Sequence, residues 1–195
     1  MLDDISLLRR IAAAPSVSGL LRELVEFDVE DVVSVDASTA RLSSSVSLRV
    51  IACDSTGGRF FLVGTEASSR PVLYADSEGS AGLIGPSLAI TLATIVALPN
   101  WRDLLKFSGG GDLHQMRRAQ ARLQEGMRQW HPDLDQLQSL LVGELELDVL
   151  DDPVLTFWQS ARATDPTVAF INDDDGGLPW GPLFGEGTID RLMRG

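Results

Sequence analysis

The sequence predicts an α+β protein, with a central antiparallel β-sheet, a buried helix on one face of it and a mostly helical C-terminal extension. Three observations carry that prediction. From Val29 to Asp76 the chain is rich in β-branched and aromatic residues, interrupted by Asp-, Ser- and Gly-rich links, which is the pattern of short strands and turns. Ser87 to Leu98, SLAITLATIVAL, is apolar almost all round, so a helix there has to be buried. From Asp112 to Ala163 apolar residues recur at helical spacing in three segments.

The elements follow in order. Ile5, Leu7, Leu8, Ile11 and Ala12 give Leu2 to Ala14 a helical stripe, ended by Pro15. Ser18 is the expected cap of a second helix, Gly19 to Phe27. The runs VEDVVSVDAS, RLSSSVSLRVIAC, RFFLVG and PVLYAD then read as strands of a meander, with DSTGG and EASSRP as turns. After AGLIG, Pro86 stands where the first turn of the apolar helix begins, and Pro99 ends that helix. Asn100 is positioned to cap the short helix WRDLLKF. Helical patterns resume through Asp112–Trp130, Pro132–Leu141 and Pro153–Ala163, before the Gly-, Pro- and Asp-rich stretch DPTVAFINDDDGGLPWGPLFGEG. The domain boundary is expected at 107/108, with a sheet-bearing domain over 1–107 and the helical extension and its tail over 108–195.

Composition narrows the function classes. A chain of 195 residues that is 44% hydrophobic can bury one core without staples. The single cysteine, Cys53, excludes an internal disulfide, and its apolar setting, RVIAC, reads as a buried strand thiol. No apolar run is long enough for a membrane span, and MLDDISLLRR lacks the basic-then-apolar order of a signal peptide. The expectation is a cytoplasmic protein that is not membrane-bound. With 16 cations against 28 acids, the net charge of −12 repels nucleic-acid backbones and complements a basic protein partner.

The chemical motifs are incomplete. In LLKFSGGGDLHQM three glycines precede a helix, but a phosphate loop would need a preceding strand and a Lys-Ser/Thr pair. Asp112 suits a helix cap there, and the glycines suit the end of the preceding helix, so the stretch reads as a helix-to-helix joint. DDDGG, Asp173 to Gly177, resembles a calcium loop only in its carboxylates, because Phe184 stands where the twelfth-position acidic ligand would be. Trp180 and Phe184 flank that loop as candidate interface aromatics. His114 and His131 lie on polar helical segments without a ligand pattern and are expected at the surface. No catalytic residue, metal ligand or cofactor is assigned.

The stretches IACDSTGGRFFLVG, PVLYADSEG and IGPSLAITLATIVAL, between Leu48 and Leu98, together resemble the SUKH superfamily. In that family an acidic, glycine-rich turn leads into an aromatic strand, then a strand with a polar turn, then a helix; Asp54, Gly57, Gly58, Phe60 and Phe61 match the first part. The resemblance implies that residues 1–107 form a SUKH-like domain whose work is binding rather than catalysis. It further implies an immunity protein that neutralises a toxin domain by occlusion. The contact surface is expected on the exposed sheet face and adjoining turns, with Asp54, Asp76, Glu78 and Trp101 as contributors. Two rivals remain: a small hydrolase or metal-dependent enzyme built on acidic turns such as Asp173 and Asp175, and a self-assembling structural protein using its C-terminal helices. The oligomeric state is left open.

Overall fold

The computed structural model describes residues 2–29, 40–65, 69–163, 169–173 and 176–184. The chain is α+β. Its main sheet is a meander of β2 (Leu48–Cys53), β3 (Arg59–Val63), β4 (Val72–Ala75) and β5 (Ser80–Gly85), each antiparallel to the next. A short fifth strand, β7 (Gly181–Pro182), pairs in parallel with β5, so the expected antiparallel sheet carries one parallel edge. The expected strand within VEDVVSVDAS lies almost wholly outside the described residues.

Helices cover one face. They are α1 (Asp4–Ala13), α2 (Pro15–Val25), α3 (Leu88–Ala97), α4 (Trp101–Lys106), α5 (Leu113–Trp130), α6 (Leu134–Leu145) and α7 (Pro153–Arg162). α3 packs against α1, α2, α6, α7 and β5, which is why it is apolar on every side. Its two threonines bury their hydroxyls by donating back to Ser87 and Ile90 carbonyls, at 2.8 and 2.7 Å. Gly85 lets the helix sit this close: a Cβ there would collide with the Thr91 hydroxyl and lie 3.0 Å from its Cα.

A β-bulge in β2 matters for the core. The register shifts between Val50 and Ala52, so the adjacent residues Ile51 and Ala52 both join the helix-side core, while Val50 and Cys53 join the opposite cluster. That opposite cluster corrects one expectation, because the second sheet face is covered rather than exposed. β1 (Ala40–Leu42) and β6 (Phe170–Asn172) form a two-stranded antiparallel sheet, and Leu42 and Phe170 bury Val50, Phe61, Leu73 and Ala81 beneath it. Trp180 packs on Phe170 at 4.9 Å between centroids with the rings tilted, and Phe184 lies against Gly111, so both aromatics pack inward.

Several local readings change for physical reasons. Pro15 both follows α1 and opens α2, as a proline at the first helical position can, which puts Ser18 inside α2 rather than at its cap. Ser87, not Pro86, stands just before α3 and caps it through Ile90. Residues beyond 107 do not stand apart: Met116, Leu134, Leu141 and Phe157 are fully buried in the same core as Leu7 and Phe60. The triple glycine is a helix-to-helix joint, with Gly109, Gly110 and Gly111 all at positive φ and Asp112 capping α5 through Gln115 at 2.7 Å.

Candidate functional site

The end of the sheet where β2 turns into β3 gathers the polar residues that sequence reasoning singled out. The turn begins at Asp54, whose Oδ1 accepts from the Thr56 N–H at 2.8 Å, the Thr56 hydroxyl at 2.9 Å and the Gly58 N–H at 2.8 Å. This is an Asx-type turn, in which a short carboxylate takes over the bonding of the reversing backbone. Its two glycines do separate work. Gly57 adopts φ +93°, which a side chain disfavours, whereas a Cβ on Gly58 would strike the Asp54 carboxylate and the Tyr74 hydroxyl.

The other oxygen of Asp54 accepts from the Tyr74 hydroxyl at 2.5 Å and faces the Arg102 guanidinium at 3.3 Å. Arg102 also pairs with Glu26, the left-handed residue that ends α2, and donates to the Thr56 hydroxyl at 3.0 Å. Glu26 in turn accepts from Ser55 at 3.0 Å. One network therefore locks α2, α4 and the β2–β3 turn together.

Beneath it lies an aromatic cluster. Trp101 meets Tyr74 edge-on at 4.8 Å and Phe157 at 6.1 Å, and its indole donates to the Val25 carbonyl at 3.1 Å. Phe60 bridges Phe27 and Tyr74 at 4.9 and 5.0 Å.

The electrostatics follow from this geometry. Burial alone would raise the Asp54 carboxyl, but hydrogen bonds from Tyr74, Thr56 and Gly58 outweigh it and hold the group below the usual carboxylate range. Burial and the adjacent Asp54 charge push the Tyr74 phenol far above its usual value. For Arg102 burial works against the charge, and the Asp54 and Glu26 carboxylates beside it more than restore it. A carboxylate, a phenol and a guanidinium in contact could suggest acid–base chemistry. Here the carboxylate side chain has no exposure, its acceptor sites are filled, and the phenol is locked in its protonated form, so the trio works as an anchor for the turn.

Each expected contributor can now be placed. Asp54 and Trp101 are buried, at 7% and 1% exposure, so they reach a partner only through the turn and helix they support. Asp76 is half-buried and caps the β4–β5 turn, accepting from the N–H groups of Glu78 at 2.8 Å and Ser80 at 2.9 Å. Glu78 is exposed. The two turns are neighbours, since a Cβ on Gly57 would lie 3.8 Å from that of Ser77. Beside them a cleft of about 200 Å³ is lined by Glu26, Thr56, Asn100, Arg102 and Lys106.

Sequence reasoning missed Tyr74, Arg102, Glu26 and Thr56. Only Thr56 left a local signal, the D-x-T spacing of an Asx turn; Tyr74 and Arg102 reach Asp54 from different elements, and Glu26 reaches Arg102 from a third. The carboxylate of Asp173, on which a metal-dependent reading leaned, is held by Arg41 in a two-pronged pair at 3.0 and 3.2 Å. Its companion Asp175 lies outside the described residues. Among the described residues no three His, Cys, Asp or Glu side chains converge as metal ligands, and no helix is long and apolar enough to cross a membrane. No family model matches the chain, and no curated protein or solved structure matches it either.

Proposed function

We propose that the chain is a SUKH-like, non-enzymatic binding module that acts in the cytoplasm. In this reading its adjoining acidic turns dock a basic toxin domain and neutralise it by occlusion. One observation carries it: the β2–β3 and β4–β5 turns lie side by side at the Asp54–Tyr74–Arg102 anchor. Turns fixed before the encounter lose little entropy on binding. Exposed Glu78 and half-buried Asp76 present negative charge from that fixed frame. In a chain of net charge −12 this speeds encounter with a cationic surface and sets its register. The covered second face of the sheet moves the expected contact surface to the turns.

The test is affinity capture from the native host with the wild-type chain and with Asp76→Lys/Glu78→Lys. A basic protein recovered by the wild type at low salt, weakened at moderate salt and absent from the variant supports the reading. Equal recovery by both, or recovery of the bait alone, refutes it.

A further inference from the structure

A second surface carries the opposite chemistry. α5 holds four arginines against one acid, Glu125. Arg117 pairs with Asp152 at 2.5 Å and Arg128 with Asp135 at 3.0 Å. Arg118 and Arg122, one turn apart and exposed, have no ion-pair partner among the described residues, in a chain where acids outnumber bases 28 to 16. Both line a groove of about 430 Å³ together with Gln115, Ala119, Leu123 and Phe107. Phe107 is 58% exposed, an aromatic ring left in water in the same groove as these two guanidiniums. That combination suits a segment with two carboxylates flanking an apolar side chain.

The same chain displays such a segment. Between α6 and α7, Asp148, Val149 and Asp151 are all exposed, Val149 at 84%, and neither aspartate has an ion-pair partner among the described residues. The next residue, Asp152, is the one held by Arg117, so this acidic link is tied to the helix that carries the groove. Two complementary patches attached to one helix are the arrangement a two-fold axis can satisfy, each patch meeting its complement on the other copy.

We infer that the chain forms a two-fold dimer in which Asp148, Val149 and Asp151 of each copy seat in the other copy's Arg118–Arg122–Phe107 groove. None of these residues belongs to the acidic turns, so the inference stands or falls separately from the proposed function. Because each copy carries a charge of −12, the dimer forms where salt screens the long-range repulsion while the contact pairs persist.

The experiment is sedimentation of the full chain at about 0.15 M salt, over concentrations up to about 500 µM. Three samples are needed: wild type, Arg118→Glu/Arg122→Glu, and Asp148→Lys/Asp151→Lys. All four substitutions are at exposed positions, and circular dichroism checks that the fold is kept. The wild type moves from 21.1 kDa toward twice that mass, and each variant alone dimerises at least about tenfold more weakly. Mixing the two variants restores the dimer, because both of its contacts then pair opposite charges again. A wild type that stays monomeric throughout, a dimer indifferent to the reversals, or a mixture that fails to recover would overturn the inference.

Discussion

Replacing Asp54 with alanine removes an acceptor shared by four donors, and those donors differ in where they can turn. Thr56 is exposed, so its two groups can find water, at about 0.5–1 kcal/mol each. The Gly58 N–H and the Tyr74 hydroxyl are buried, and each left unpaired costs about 1–3 kcal/mol. Arg102 keeps Glu26. Allowing for relaxation, Asp54→Ala should cost about 3–5 kcal/mol, a large share of the ~5–15 kcal/mol that holds a domain folded. Asp54→Asn retains an acceptor toward the turn but points an amide N–H₂ at Tyr74 and Arg102, so about 1–2 kcal/mol is expected. Urea unfolding reads both as a lower midpoint at unchanged slope. Because the folded carboxyl titrates below its unfolded value near 3.8, its contribution is present above about pH 4 and fades as pH falls through the folded value. The gap between wild type and Asp54→Asn should therefore narrow below about pH 4. An alanine variant within about 1 kcal/mol of wild type, or a gap unchanged by acid, would refute the anchoring role.

Three further outcomes follow from the packing. Gly85→Ala should lower stability by about 1–3 kcal/mol in thermal unfolding, because the added methyl collides with the buried Thr91 hydroxyl, itself bonded to the Ser87 carbonyl, and crowds the α3 backbone behind it. Asp4→Ala should cost about 3–5 kcal/mol, since it strips the buried Arg70 of two bonds at 3.1 Å, and Asp4→Leu/Arg70→Met should cost less. Tyr74 is the sole tyrosine, and its raised folded value means stability is full below about pH 10 and declines as pH rises beyond it. Tyrosinate absorbance should accordingly appear together with unfolding; a phenol that titrates freely near pH 10 in the folded chain would contradict its bond to Asp54.

The meander and the buried helix were legible because both announce themselves locally. RFFLVG and PVLYAD are strands in any context that offers a core, and SLAITLATIVAL has no polar side to expose. The small sheet over the second face was not legible: Ala40 pairs with Asn172, and strands of three residues carry too little periodicity to show partners so distant in sequence. The two-residue β7 is hidden for the same reason. At the site, Asp54 was visible as a turn residue, but its depth was not. Burial depends on Tyr74, which register places opposite Phe60, and on Arg102 arriving from α4. Trp101, expected among the contributors to the contact surface, is buried instead: a tryptophan near a helix start serves either role, and Tyr74 and Phe157 close around it only in three dimensions.

The most direct measurement is calorimetric affinity for the captured basic partner, comparing wild type, Asp76→Lys/Glu78→Lys and Trp101→Phe. Binding through the acidic turns predicts that the charge reversal weakens affinity by at least about a hundredfold, while the unfolding midpoint falls only by the worth of the lost Asp76 turn cap, about 1 kcal/mol. Trp101→Phe should lower that midpoint further and change affinity little. An affinity untouched by the reversal, or lost only in the tryptophan variant, would contradict it.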